Sequence, residues 1–146
     1  MKGLELCKSY YENIGAPELK RLFPEVMGRA AAGLSGQGSD CLGLDDEFSR
    51  DHDFGPGFCL WLSDEDFEKY GAELQKAYDA LPKSYMGFER KPTHTGAQRV
   101  GVMRTSDFYR YYIGCPRVPD TLMRWVRIQE HFLATCTSVS YTHLTL

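Results

Sequence analysis

Hydrophobic and polar positions switch between helical and extended spacing along the chain, which predicts a mixture of helices and strands. A first helix is predicted before Gly15, because five apolar residues recur there at near-helical spacing: Leu4, Leu6, Tyr10, Tyr11 and Ile14. A second, short helix is predicted from Pro17 to about Met27, with an interruption at Phe23 and Pro24. The N-terminal part is therefore expected to be helical.

Extended segments are predicted further along the chain. "RAAAGLSG" at 29–36 is small, apolar and followed by glycine, and "FCLWL" at 58–62 is typical of a buried strand. Asp51 to Phe54 is predicted as a short strand, with "GPG" at 55–57 bending the chain. "SYMGFER" at 84–90 and "QRVGVMRT" at 98–105 are each predicted as a strand.

Three helices are predicted in the second half. Ser63 is typical of an N-cap, and the helix after it is expected to end at Pro82. "TSDFYRYYIG" predicts a helix that stops at Gly114, and "PDTLMRWVRIQEHFLAT" predicts one helix that opens near Asp120. Aromatic residues of these last two helices favour a core or a docking face: Phe108, Tyr109, Tyr111, Tyr112, Trp125 and Phe132. The predicted fold class is α/β (mixed α+β), a short mixed sheet flanked by helices.

Composition narrows the class of protein. The 146 residues, 42% of them hydrophobic, suit a single domain. A formal charge of −3 gives no strong signal for nucleic acid, and no run approaches the ~20 apolar residues that span a bilayer. Five cysteines without a C-x-x-C pair favour reduced thiols. The expectation is a cytoplasmic protein with no membrane partner.

One stretch concentrates polar chemistry, "GLSGQGSDCLGLDDEFSRDHDFGPGF" at 33–58. In a strand, Asp51 and Asp53 project from the same face, and such a carboxylate pair suits Mg²⁺. Upstream, the turn with Gly38 and Ser39 allows backbone N–H groups to approach a phosphate. For the acidic stretch, the competing interpretation is a solvated surface turn without a ligand. For His52 it is a structural role.

These residues carry a resemblance to a known family. A Gly-Ser step at Gly38 and Ser39, a spacer, and Asp-x-Asp at Asp51 and Asp53 resemble the signature of DNA polymerase β-like nucleotidyltransferases. More specifically, "SRDHDFGPGF", with the downstream "FYRYYIG" and "RWVRIQEHFLAT", resembles a bacterial domain-of-unknown-function family with that nucleotidyltransferase core. This closer resemblance extends over nearly all of residues 1–137.

The resemblance implies transfer of a nucleoside monophosphate from a nucleoside triphosphate to an acceptor hydroxyl. Asp51 and Asp53 would hold Mg²⁺ (or Mn²⁺), and Gly38 and Ser39 would hold the outer phosphates. Nothing in the sequence identifies the acceptor. The family's third carboxylate is expected near Gly101, where this chain has none, and Glu89 is the nearest substitute. The alternative is therefore a catalytically impaired nucleotide-binding or regulatory module.

The last residues depart from the preceding pattern. "SVSYTHLTL" at 138–146 resembles the translation of a sequencing-adapter read-through. The expected organisation is a nucleotidyltransferase-like domain over 1–138, with its C-terminal helical part truncated, and a non-native tail over 139–146. A genuine short β-prone terminus is the alternative.

Overall fold

The computed structural model describes residues 3–35, 55–90, 100–137 and the backbone of 143–144. It is a mixed α and β protein, and the described ranges contain seven α-helices and one π-helical turn. The N-terminal helices are α1 (Gly3–Tyr10), α2 (Ala16–Leu22) and α3 (Pro24–Met27). The later helices are α4 (Asp64–Ala80), α5 (Thr105–Ile113), α6 (Leu122–Val126) and α7 (Glu130–Thr137). None of these helices combines the length and the apolar composition needed to cross a membrane.

A small mixed sheet forms the centre of the fold. Its strands are β1 (Ala31–Gly33), β2 (Cys59–Leu62), β5 (Gly101–Arg104) and β6 (His143–Leu144), in the order β5-β2-β1-β6. β1 runs antiparallel to β2 and β6, whereas β2 and β5 are parallel. β2 is therefore a central strand, and all four of its residues are buried.

Helices pack on both faces of this sheet, because alternate residues of β2 point to opposite sides. On one face Leu60 lies between Ala32 and Val102 and joins the main core with buried side chains of α1, α2 and α4. On the other face Trp61 packs edge-on against Phe108 of α5, with 5.3 Å between ring centroids. Aromatic contacts continue from Phe108 through Tyr112 to Phe132 of α7, and these three rings are half-buried rather than part of the core.

Two strands predicted as one form a separate hairpin. β3 (Ser84–Tyr85) and β4 (Phe88–Glu89) pair antiparallel around Met86 and Gly87, whose φ angles are 51° and 83°. Two consecutive positive φ angles are the geometry of a tight hairpin turn whose twist matches that of the strands. The prediction of a single strand over 84–90 was therefore wrong.

Two helix predictions also need correction. The segment after Asp120 is two helices rather than one, since α6 ends at Val126 and α7 starts at Glu130. At the N-terminus the first helix does not stop before Gly15, because a π-helical turn over Tyr11–Gly15 joins α1 to α2. Gly15 lies directly against the ring of Phe58, where a Cβ atom would clash. The wider turn therefore accommodates the core aromatic that follows "GPG".

Other predicted boundaries were confirmed. The Ser63 hydroxyl accepts a hydrogen bond from the backbone N–H of Asp66 at 3.2 Å and caps α4, which ends at Ala80. Gly114 ends α5 in the left-handed conformation, with φ 74°. β6 pairs with β1 inside the segment 139–146, and the origin of that segment stays a prediction.

Candidate functional site

The four residues that the sequence assigns to the site lie outside the described residues. These residues are Gly38, Ser39, Asp51 and Asp53, and the predicted strand over 51–54 lies there too. Ser35 and Gly55 are the nearest described residues on either side of them. The geometry that bears on the site is therefore that of the two flanks.

The upstream flank is fixed to the C-terminal helix. β1 ends at Gly33, which pairs with Cys59 at the start of β2. Two residues later, the buried Ser35 hydroxyl donates a hydrogen bond of 2.8 Å to the carbonyl oxygen of Thr135 in α7. The chain thus leaves the sheet from a defined position, next to the first residue of β2.

The downstream flank is fixed by close backbone packing at Gly55. A Cβ atom at this position would lie 2.6 Å from the carbonyl oxygen of Glu89 and 3.0 Å from the Cα atom of Arg90. On the other side, the Cys7 thiol lies 3.5 Å from the carbonyl oxygen of Gly55. Only glycine fits between α1 and the hairpin without moving one of them, so the chain re-enters the fold at a fixed point.

Phe58 anchors the start of β2 in the core. Its side chain is fully buried and its ring packs edge-on against Tyr11 and Tyr78, each with a centroid distance of 4.9 Å. The Tyr78 hydroxyl accepts a hydrogen bond from the Phe58 N–H at 3.1 Å and donates one to its carbonyl oxygen at 2.9 Å. Burial raises the pKa of Tyr78, so the hydroxyl keeps the proton that it donates.

Glu89, the predicted substitute for a third carboxylate, is not in the main sheet. It lies in β4, is exposed, and approaches the site's flank through its backbone at Gly55. The neighbouring Arg90 is half-buried, with its guanidinium 4.8 Å from the ring centroid of Tyr78. Nothing in the sequence around Arg90 indicates that its guanidinium lies over the rings of two core tyrosines, Tyr10 and Tyr78.

The position where a third carboxylate was expected has a backbone conformation that disfavours a side chain. Gly101 is buried, pairs with Cys59 and has a φ of 117°, which side-chain-bearing residues rarely adopt. The rest of β5 is Val102, Met103 and Arg104. The sheet therefore offers no acid on the strand next to β2.

A group of charged side chains lies at the opposite end of the strands, where β2 leads into α4 and β5 leads into α5. Asp66 accepts two hydrogen bonds from Arg29, at 2.6 and 3.1 Å, and these bonds hold the pKa of its carboxyl below the usual value. Arg104 lies 3.5 Å from Glu68 and 3.6 Å from Asp107. These carboxylates already face cations, which is typical of a structural ion-pair network.

No metal centre is visible in the part of the chain that the structure describes: it contains no group of three or more His, Cys, Asp or Glu side chains able to hold an ion. The predicted magnesium ligands lie outside that part. Comparison with protein-family models, with curated proteins and with solved structures found no match to this chain.

Proposed function

We propose that the protein is a Mg²⁺-dependent nucleotidyltransferase, which transfers a nucleoside monophosphate from a nucleoside triphosphate to an acceptor hydroxyl. One observation carries the proposal: the whole Gly-Ser and Asp-x-Asp segment connects two strands that are hydrogen-bonded neighbours. Gly38 and Ser39 follow β1, and Asp51 and Asp53 precede β2. Because the last residue of β1 pairs with the first residue of β2, both halves of the motif are attached at the same end of these two strands.

The described contacts support this proposal through rigidity. A site built from two halves of one segment needs both ends of that segment held in place. The Ser35 to Thr135 hydrogen bond holds one end, and the packing of Gly55 on the β3–β4 hairpin holds the other. Phe58, fully buried, prevents the second end from sliding along the core.

The proposed roles follow from the chemistry of the side chains. Asp51 and Asp53 hold Mg²⁺ (or Mn²⁺), because hard carboxylate oxygens suit this ion and a strand would place two residues of this spacing on one face. Gly38 and Ser39 bind the outer phosphates through backbone N–H groups and a hydroxyl. The bound ion would neutralise negative charge on the phosphates. The acceptor is not specified.

A second candidate is a nucleotide-binding or regulatory module without turnover. The observation that favours it is the backbone of Gly101, whose φ of 117° disfavours a carboxylate-bearing residue at the position where the third acid was expected. An acceptor hydroxyl would then lack the general base that a third acid provides. Glu89 replaces that acid only if its exposed carboxylate reaches the acceptor.

The decisive experiment measures binding and incorporation separately. Calorimetry with each nucleoside triphosphate, with and without Mg²⁺, is compared between the parent and Asp51→Asn/Asp53→Asn. The matched control is Asp45→Asn/Asp46→Asn, which removes two charges from the same segment but leaves the proposed ligands. Metal-dependent binding should be lost in the first variant and kept in the control.

Incorporation of α-labelled nucleotide into hydroxyl-bearing acceptors then separates the two candidates. Incorporation that disappears in Asp51→Asn/Asp53→Asn supports the transferase. Metal-dependent binding without incorporation across the acceptors supports the module. Equal metal-dependent binding by the parent and both variants would overturn the site itself.

A further inference from the structure

The helix α6 presents an apolar surface that the described chain leaves uncovered. None of the five residues of α6 is buried. The α6 surface consists of Val118, 68% exposed, with Leu122 (79%), Met123 (60%), Trp125 (39%) and Val126 (65%). Exposed apolar residues scattered singly are ordinary, but a group of this kind is typical of an interaction site.

The apolar side chains within α6 lie together because of helix geometry. Leu122 and Val126 are four residues apart, and Met123 and Val126 are three apart, so they are neighbours on one side of α6. A helix of five residues has little stability of its own, and its N-cap at Thr121 satisfies only one backbone N–H. Burial against a partner would supply the packing that α6 does not obtain from the described chain.

The charges around this surface indicate the kind of partner. Three exposed arginines lie between residues 117 and 127: Arg117, Arg124 and Arg127. Asp120 is the acidic residue in this range, and it already pairs with Arg124 at 2.9 Å. The chain as a whole has a formal charge of −3, so this basic stretch stands out from the rest. Two α6 surfaces facing each other would bring arginines against arginines, which opposes self-association.

We propose that the α6 surface docks an acidic, apolar segment of a partner protein. Trp, Met and Arg are enriched in protein interfaces, and carboxylates of the partner would pair with Arg117 and Arg127 around the apolar contact. An anionic membrane is the less suitable partner, because membrane binding scales with the apolar area buried in the bilayer and the five residues of α6 offer little. This docking site is independent of the proposed nucleotide chemistry.

The test uses two synthetic amphipathic helical peptides with the same leucine positions. In one peptide the polar positions are glutamate, and in the other they are lysine. The emission of Trp125 should shift to shorter wavelength on binding of the glutamate peptide only, since the second tryptophan, Trp61, is already buried at 7% exposure. Binding should weaken as salt is raised from ~50 to ~500 mM, because exposed ion pairs are screened.

Variants separate the apolar and the charged contributions. Leu122→Ser/Val126→Ser should weaken binding by roughly tenfold or more, and Arg117→Glu/Arg127→Glu by on the order of tenfold. Leu22→Ser is the matched control, since Leu22 is also an exposed apolar residue (44%) but lies in α2. It should leave binding unchanged, and the melting temperature of each variant confirms that it folds.

Several results would overturn the proposal. Equal binding of the lysine and glutamate peptides, or no binding of either to the folded parent, would exclude an acidic partner at this surface. Binding to anionic vesicles that Leu122→Ser/Val126→Ser abolishes, without peptide binding, assigns the surface to a membrane instead. A concentration-dependent dimer that the same variant dissociates assigns it to a second copy of the chain.

Discussion

Replacing Gly55 by alanine should destabilise the protein through a single backbone clash. The added Cβ would lie 2.6 Å from the Glu89 carbonyl oxygen and 3.2 Å from its carbonyl carbon. Both are backbone atoms of β4, so no side-chain rotation relieves the contact. Either the hairpin or the start of β2 must move by several tenths of an ångström, which strains the Arg90 N–H bond to the Lys83 carbonyl, now 2.7 Å.

The magnitude follows from two opposing effects. Overpacking of a tightly packed site costs about 1–3 kcal/mol. Alanine also restricts the unfolded chain, which returns about 0.4–1 kcal/mol of stability. The expected net loss is therefore about 1–2 kcal/mol, or a fall of roughly 2–8 °C in melting temperature for a chain of this size.

Urea unfolding and calorimetry measure this loss, with Gly28→Ala as the matched control. A Cβ at Gly28 would meet its nearest neighbour, the Glu25 carbonyl oxygen, at 3.6 Å, an ordinary contact. That substitution should leave stability unchanged or raise it slightly. If Gly55→Ala unfolds at the same urea concentration as Gly28→Ala, the close approach of β4 to the site's flank is refuted.

Three further predictions concern other contacts. Tyr78→Phe should lower stability by about 1–3 kcal/mol in urea unfolding, because a buried backbone N–H at the start of β2 loses its partner. The hydrogen bonds from Arg29 hold the pKa of Asp66 below its ordinary value of 3.8. The stability that this ion pair contributes is therefore complete above pH 3.8 and is lost as the pH falls through the pKa of the folded state. Arg29→Ala should therefore flatten the acid limb of stability against pH, followed by thermal melts. Mass spectrometry after brief alkylation at pH 8 should find Cys115 modified before Cys136, because burial raises the pKa of the Cys136 thiol to about 11.

Each of these has a contrary result. Tyr70 is the comparison, because its exposed hydroxyl donates a hydrogen bond to Glu25. If Tyr78→Phe is as stable as Tyr70→Phe, the hydrogen bonds between Tyr78 and Phe58 contribute little. An unchanged acid limb in Arg29→Ala would mean that the ion pair does not persist in solution. Faster alkylation of Cys136 than of Cys115 would show that α7 opens readily.

Local sequence signals predicted the elements whose causes are themselves local. Ser63 followed by three acids indicates a helix start, and a glycine after an apolar helix face indicates a helix end at Gly114. The apolar run around Cys59 predicted a buried strand, and all of β2 is buried. In each case the interaction that decides the structure lies within a few residues of the chain.

Elements decided by distant contacts were not predictable in this way. The turn at Met86 requires a positive φ, and methionine gives no sign of it in the sequence. The π-helical turn ends at Gly15, which packs against the ring of Phe58, more than forty residues away. The packing of Gly55 on β4 likewise depends on a hairpin that follows α4, so the fixed flank of the site became visible only in the structure.

The parallel pairing of β2 with β5 has a consequence for synthesis of the protein. β2 begins at Cys59 and β5 at Gly101, so about 40 residues must be added after β2 before its parallel neighbour exists. At ~5–20 residues per second, the ribosome needs on the order of 2–8 s for this stretch. During that interval the most apolar strand of the chain has one neighbour at most, and chaperones that bind extended apolar segments are expected to meet the nascent protein at "FCLWL".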